Sequence, residues 1–166
     1  MKLYNNLLLS DASIERIKIK YGDKLELVTS DIRHHKSYHE TNPSTWIYKL
    51  INDLVKKNMG DNYSIYTRVT ILKYTPGDYF MNHVDGSHNT KLDPNLLEHF
   101  YGGIELNNQD DFTGGKFFIN GNDVPFLKGR LITHEFDEPH GVSEVINGDR
   151  WSIHFPIKMN YKISLI

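Results

Sequence analysis

Cysteine is absent from this chain, which removes both a disulfide framework and a thiolate metal site and makes a reducing, cytoplasmic compartment the expectation. Long apolar runs are absent too. Leu7-Leu8-Leu9 is far too short for a membrane span or a signal-peptide core, so a soluble, unprocessed chain with no membrane partner is expected. Neither sign of charge dominates: the net charge is −2, with Lys and Arg scattered among the acids, and no footprint for a phosphate backbone is visible. The small basic cluster Arg16-Ile17-Lys18-Ile19-Lys20 reads as a solvated face of a strand or helix. No internal repeat or low-complexity tract interrupts the 166 residues, a length suited to a single domain spanning 1–166.

What is present in quantity is histidine, with nine residues. In a β-strand alternate side chains share a face, so His83 and Asp85 project side by side and offer adjacent ligands to one metal. Such a triplet arises easily by chance, and its surroundings give it weight. Tyr74-Thr75-Pro76-Gly77-Asp78-Tyr79-Phe80 reads as strand, turn and strand leading into it, and Gly86 follows, which puts the ligands at a strand end facing a cavity. Downstream come Gly114-Gly115-Lys116-Phe117-Phe118, then Pro125-Phe126-Leu127-Lys128-Gly129, then Pro139-His140-Gly141-Val142 and Arg150-Trp151-Ser152. With His140, the set is two imidazoles and one carboxylate. That is the ligand set of non-heme Fe(II) oxygenases, because O2 and a chelating co-substrate both need vacant coordination positions. Arg150 offers a planar, two-pronged donor matched to a carboxylate, and Ser152 shares its strand face.

From about Tyr66 to Ile157, the ordered set Tyr74, Pro76-Gly77, His83/Asp85, Gly114-Gly115, Pro125 to Gly129, His140 and Arg150 resembles the catalytic core of the 2-oxoglutarate and Fe(II)-dependent dioxygenases, prolyl 4-hydroxylase-like branch. The resemblance implies a mainly β (α+β) protein with a double-stranded β-helix, or jelly roll, and an N-terminal helical segment packed on the sheet. It implies His83, Asp85 and His140 as metal and catalytic residues, with Arg150, Ser152 and, as a third donor, Tyr74 binding the co-substrate. Fe(II), 2-oxoglutarate and O2 are the implied cofactor and co-substrates, with ascorbate a further candidate. The implied reaction hydroxylates an unactivated C–H bond, foremost of a prolyl residue in a peptide or protein, releasing succinate and CO2. The alternatives are a free amino acid or other small metabolite as substrate, or a non-catalytic jelly roll that binds metal and 2-oxoglutarate. The chain departs from the family in two places. Arg150 stands where collagen-type prolyl hydroxylases commonly use Lys, and Pro156 where the nucleic-acid-demethylating branch carries a further Arg, so nucleic acid is not the expected partner.

Around this core, residues 1–62 read as a mixed supporting segment and 63–166 as the jelly roll. Ser44 is the expected N-cap of a helix running to about Lys57, with Ile47, Leu50, Ile51, Leu54 and Val55 at apolar helical spacing, Trp46 in the core and Gly60 as the stop. Asn147-Gly148 reads as a hairpin turn; for His140 and Arg150 to face one cavity, an odd loop pairing Ile146 with Arg150, or an equivalent bulge, is expected, with Val142 also inward. His34, His35 and His39 read as a solvated loop. His154 shares the strand face of Arg150 and Ser152, His134 is a candidate for facing substrate, and His88 and His99 look peripheral. Residues 86–98 form either a lid over substrate or a plain surface connection.

Overall fold

The structure, a computed structural model, describes residues 1–85 and 99–160. The first strand, β1 (Lys2–Tyr4), leads to helix α1 (Asp11–Tyr21), the hairpin β2 (Glu26–Ser30) and β3 (Arg33–Glu40), and helix α2 (Trp46–Met59). Short strands follow: β4 (Tyr63–Ile65), β5 (Val69–Tyr74), β6 (Tyr79–His83), β7 (His99–Glu105), β8 (Phe112–Gly114), β9 (Phe117–Ile119) and β10 (Asn122–Asp123). The chain then runs through β11 (Leu131–Glu135), β12 (His140–Val142), β13 (Val145–Gly148) and the long β14 (Arg150–Met159). The strands make a strongly curled antiparallel sheet of order β1-β11-β7-β14-β5-β3-β6-β12-β9-β10, with β2 paired to β3 and β4 to β14. β8 and β13 pair separately as a ribbon.

One face of the sheet is closed by the helices. In α1, Ser10 accepts a hydrogen bond from the Ser13 amide (3.2 Å), and Ile14, Ile17 and Tyr21 form the buried stripe while Ile19 points to solvent. The basic cluster is thus the outer part of an amphipathic helix, and Arg16 lies 4.0 Å over the Trp46 ring. Trp46 is therefore a half-buried shoulder of the core rather than a fully enclosed residue. Helix α2 starts one residue later than the Pro43-Ser44 signal suggests, with Thr45 as cap, because Asn42 folds Pro43 and Ser44 into a turn: Ser44 N donates to Asn42 Oδ1 (2.9 Å) and Thr45 N to Asn42 O (3.1 Å). The helix ends at Gly60, whose φ is 113°. Its stripe of Ile47, Ile51, Leu54 and Val55 packs on Ile65, Val69, Ile71, Ile104 and Phe155. Each such fully buried side chain contributes roughly 1.5–3 kcal/mol. No helix of the described residues is long and apolar enough to cross a membrane.

Two local expectations are corrected. His34, His35 and His39 are not in a loop: they lie on β3, between β5 and β6. Period-two burial was hidden by polar residue types, with His35 and Ser37 inward and Lys36 outward. His35 packs against Tyr74 and Phe80, His34 Nδ1 lies 2.5 Å from Asp78 Oδ1, and His39 Nδ1 2.9 Å from Thr70 Oγ1. Nor do β13 and β14 form a hairpin through Asn147-Gly148. β13 pairs with β8, Gly148 facing Phe112, while β14 enters the main sheet between β5 and β7. His140 and Arg150 thus reach one cavity because the chain changes sheets, not through an odd hairpin loop. Val142 lines that cavity, as expected.

Candidate functional site

The cavity opens on the concave side of the roll, where β6, β12 and β14 present polar side chains among apolar ones. His83 closes β6 and is the register partner of His140 on β12. Asp85 lies just past the strand end, yet its carboxylate still meets both imidazoles: Oδ1 is 3.5 Å from His83 Nε2, and Oδ2 is 3.2 Å from His140 Nε2. The two rings stand 4.4 Å apart. Gly141 permits this approach, since a Cβ there would lie 2.6 Å from both Phe80 O and the Phe118 ring.

Backbone carbonyls fix the orientation of the imidazoles. His83 Nδ1 donates to Met81 O and His140 Nδ1 to Glu138 O, both at 2.9 Å, which turns each Nε2 toward Asp85. Glu138 is itself tied to the Glu135 amide and the amino terminus. Burial works against charge on Asp85, but His140 and His83 outweigh it and hold the carboxyl well below the usual range. Burial likewise lowers the His140 pKa, and Asp85 more than reverses this, raising it. Asp85 Oδ2 is buried without a well-formed hydrogen bond. The cluster thus favours a positive charge between its three donors, and a divalent cation fits that demand as well as a proton does.

His134 and His154 complete the wall. Donor atoms of Asp85, His134, His140 and His154 all lie within 4.8 Å of one another, so this foursome shares only Asp85 and His140 with the expected triplet. His83 joins through its contacts with Asp85 and His140. The Nε2 atoms of His134 and His154 have no partner, and both rings stack on Tyr101. Burial, the leading cause in each, depresses their pKa values to about 4 and about 3, so at neutral pH both are uncharged.

Arg150, Ser152 and Tyr74 lie along the same cavity. Arg150 pairs with Tyr74 across β14 and β5, its guanidinium 5.1 Å over the fully buried phenol ring. Burial pushes the Tyr74 hydroxyl up to about 12, keeping it a hydrogen-bond donor. Gly115 makes room for Arg150: at φ 56° a Cβ there would sit 3.1 Å from Arg150 Cδ and 2.9 Å from Val145 Cγ2. The residue that sequence reasoning missed is Glu105. It faces Ser152 across β7 and β14 and forms a buried ion pair with Arg150 through Oε1 and Nη2. Its other oxygen, and Nε and Nη1 of Arg150, are buried without a well-formed hydrogen bond. A single acid inside the apolar sequence Gly103-Ile104-Glu105-Leu106 was the available signal. Residues 86–98, including His88, lie outside the described residues, as does the side chain of His99.

No protein-family model matches the chain, and no curated protein matches it. Solved structures do. The chain is similar to a prolyl-4-hydroxylase from Pseudomonas putida, at 14% identity and a TM-score of 0.67, over 97% of this chain and 92% of that one. It is similar to a viral collagen prolyl hydroxylase from Paramecium Bursaria Chlorella virus-1 in complex with 2-oxoglutarate, at 17% identity and a TM-score of 0.67, over 95% and 97% of the two chains. HygX from Streptomyces hygroscopicus, with nickel, 2-oxoglutarate and hygromycin B bound, matches at 12% identity and a TM-score of 0.64, over 93% and 81%. At these identities the likeness establishes the fold, which is the jelly roll of 2-oxoglutarate and Fe(II) oxygenase structures.

Proposed function

We propose that the chain is a non-heme Fe(II)- and 2-oxoglutarate-dependent dioxygenase, with His83, Asp85 and His140 as metal ligands and Arg150, Ser152 and Tyr74 as the co-substrate clamp. The observation that carries this reading is the convergence of two carbonyl-oriented imidazoles on one buried carboxylate, in the cavity that also holds a buried arginine with N–H groups in no well-formed hydrogen bond. When bound, the metal with 2-oxoglutarate and O2 supplies oxidation of a C–H bond, with release of succinate and CO2. The chain's own residues do the positioning. Asp85 contributes the negative charge, Nε2 of His83 and of His140 the neutral donors, and the Tyr74 hydroxyl a fixed proton for an incoming oxygen anion. Leu72, Phe80, Phe117 and Val142 keep the cavity wall apolar and exclude water.

For the substrate, the proposal is a prolyl residue of a peptide or protein, in keeping with the likeness to two prolyl hydroxylases. A free amino acid or another small metabolite is the alternative that a substrate screen separates. Cytoplasmic residence is part of the same proposal. A second reading, a metal- and 2-oxoglutarate-binding jelly roll without turnover, is favoured by one observation, the Glu105 carboxylate already seated on Arg150.

The test is an anaerobic titration with Fe(II) and 2-oxoglutarate, followed by exposure to O2. The expected outcome is a weak visible charge-transfer band and then succinate, both lost in His83→Ala and Asp85→Ala while circular dichroism stays unchanged. A band without succinate across the peptide and metabolite screen selects the non-catalytic reading; succinate formation surviving in either variant removes the ligand assignment.

A further inference from the structure

We propose that Glu105 is a proton-coupled gate on the co-substrate clamp, so that the far carboxylate of 2-oxoglutarate binds Arg150 only as Glu105 takes up a proton. The inference rests on the dioxygenase reading above for the identity of the ligand, and on the Arg150–Glu105 pair for everything else.

The geometry of that pair is incomplete in an informative way. Both side chains are buried, with residue exposures of 2% for Arg150 and 5% for Glu105, and they touch through one nitrogen and one oxygen only. Arg150 Nε and Nη1 have no well-formed hydrogen bond, although the guanidinium also interacts with the Tyr74 hydroxyl, and Glu105 Oε2 is an open acceptor. A fully matched structural ion pair would be two-pronged and would leave few such atoms. What the clamp displays is a donor face beside an acceptor, and its complement is a carboxyl group that brings, or shares, a proton.

Charge counting leads to the same point. Among the described residues, the charged and titratable groups facing Glu105 are Arg150 from β14 and Tyr74 from β5; on the outer side, Lys116 and Asp123 border a groove that Glu105 also lines, but they are paired with each other at 2.8 Å. Arg150 is thus already neutralised. A second carboxylate would place two negative charges on one guanidinium in a desolvated site, and two like charges that close do not both persist. The balanced step is the uptake of a proton from solvent by Glu105, whose carboxyl then donates to the ligand carboxylate while Arg150 pairs with that ligand. Burial, only partly offset by Arg150, already raises the affinity of Glu105 for this proton. Ser152, directly across from Glu105, is placed to add its hydroxyl.

The experiment is calorimetric titration of 2-oxoglutarate into the Mn(II)-loaded full chain between about pH 6 and about pH 8, in buffers of different ionisation enthalpy. The expected result is net proton uptake and an affinity that falls by up to about tenfold per pH unit on the alkaline side. Glu105→Gln, which offers an amide donor without a charge, is expected to bind more tightly than the unmutated chain at the alkaline end and to lose the pH slope. A flat affinity with no proton uptake in the unmutated chain, or the same slope in Glu105→Gln, overturns the gate while leaving the dioxygenase reading intact. Absence of 2-oxoglutarate binding in both proteins at the acidic end overturns that reading and the gate with it. The proton count is measured on the unmutated chain, so poor folding of the variant does not remove the test.

Discussion

At the scale of single residues, the Arg150–Glu105 pair ties stability and ligand binding to the same atoms. An ion pair taken out of water contributes little net stability, but a lone buried charge is expensive. Arg150→Ala strands the Glu105 carboxylate and is expected to cost about 3–5 kcal/mol in urea unfolding, while the double variant Arg150→Ala/Glu105→Ala should recover most of that loss. Equal losses in the single and double variants would mean that the destabilisation came from packing of the guanidinium, not from the charge. For binding, Arg150→Ala deletes a charge-assisted anchor of about 1.5–3 kcal/mol, so half-saturation by 2-oxoglutarate should rise roughly ten- to a hundredfold, with the iron ligands untouched. Glu105→Gln moves binding the other way at alkaline pH, which separates the two members of the pair.

Among the elements, the turn between β8 and β9 shows how backbone shape sets side-chain placement. Gly114 and Gly115 both have positive φ, 72° and 56°, and the space above Gly115 is taken by Arg150 Cδ. Gly115→Ala is expected to lose roughly 1–3 kcal/mol of stability and to weaken 2-oxoglutarate binding while leaving metal affinity unchanged. Impaired metal binding in this variant would show that the turn supports β12 and its histidine rather than the clamp. The same elements show what a reader of the sequence can and cannot see. α2 was legible because its apolar period is strong; its start was off by one residue because Asn42 competes for the same backbone. His83, Asp85, His140 and Arg150 were legible because their spacings recur with particular turn residues, and they do converge on one cavity. β3 escaped because His35-Lys36-Ser37 alternates in burial but not in polarity. The partner of β13 is set by a ribbon formed more than thirty residues upstream, beyond what a local turn signal such as Asn147-Gly148 encodes. Glu105 belongs to no recurring motif, and its partner Arg150 lies 45 residues downstream, so no local pattern pairs the two.

On the scale of the whole molecule, the curl gathers His35, His134 and His154 onto the inner face and deprives them of water. Burial leads in all three and lowers their pKa values to about 4, about 4 and about 3, against 6.5 for the open chain. A depressed histidine pKa means that between these values and pH 6.5 the unfolded chain binds more protons than the folded one, so stability falls as the pH falls. The slope is at most about 1.4 kcal/mol per pH unit for each histidine. Glu105 and His140 act in the opposite sense, because their raised pKa values stabilise the fold as the pH drops, but they are two groups against the three, which His39, also lowered by burial, joins. The net expectation is a metal-free protein that loses a few kcal/mol between about pH 6.5 and about pH 5. Urea unfolding at both pH values measures this, and His35→Leu, which removes one of these imidazoles without touching a proposed metal ligand directly, should remove part of the slope. Equal stability at the two values would mean that the three imidazoles are hydrated in solution and that the inner face of the roll is open to water, which would also take away the desolvation on which the Arg150–Glu105 gate depends.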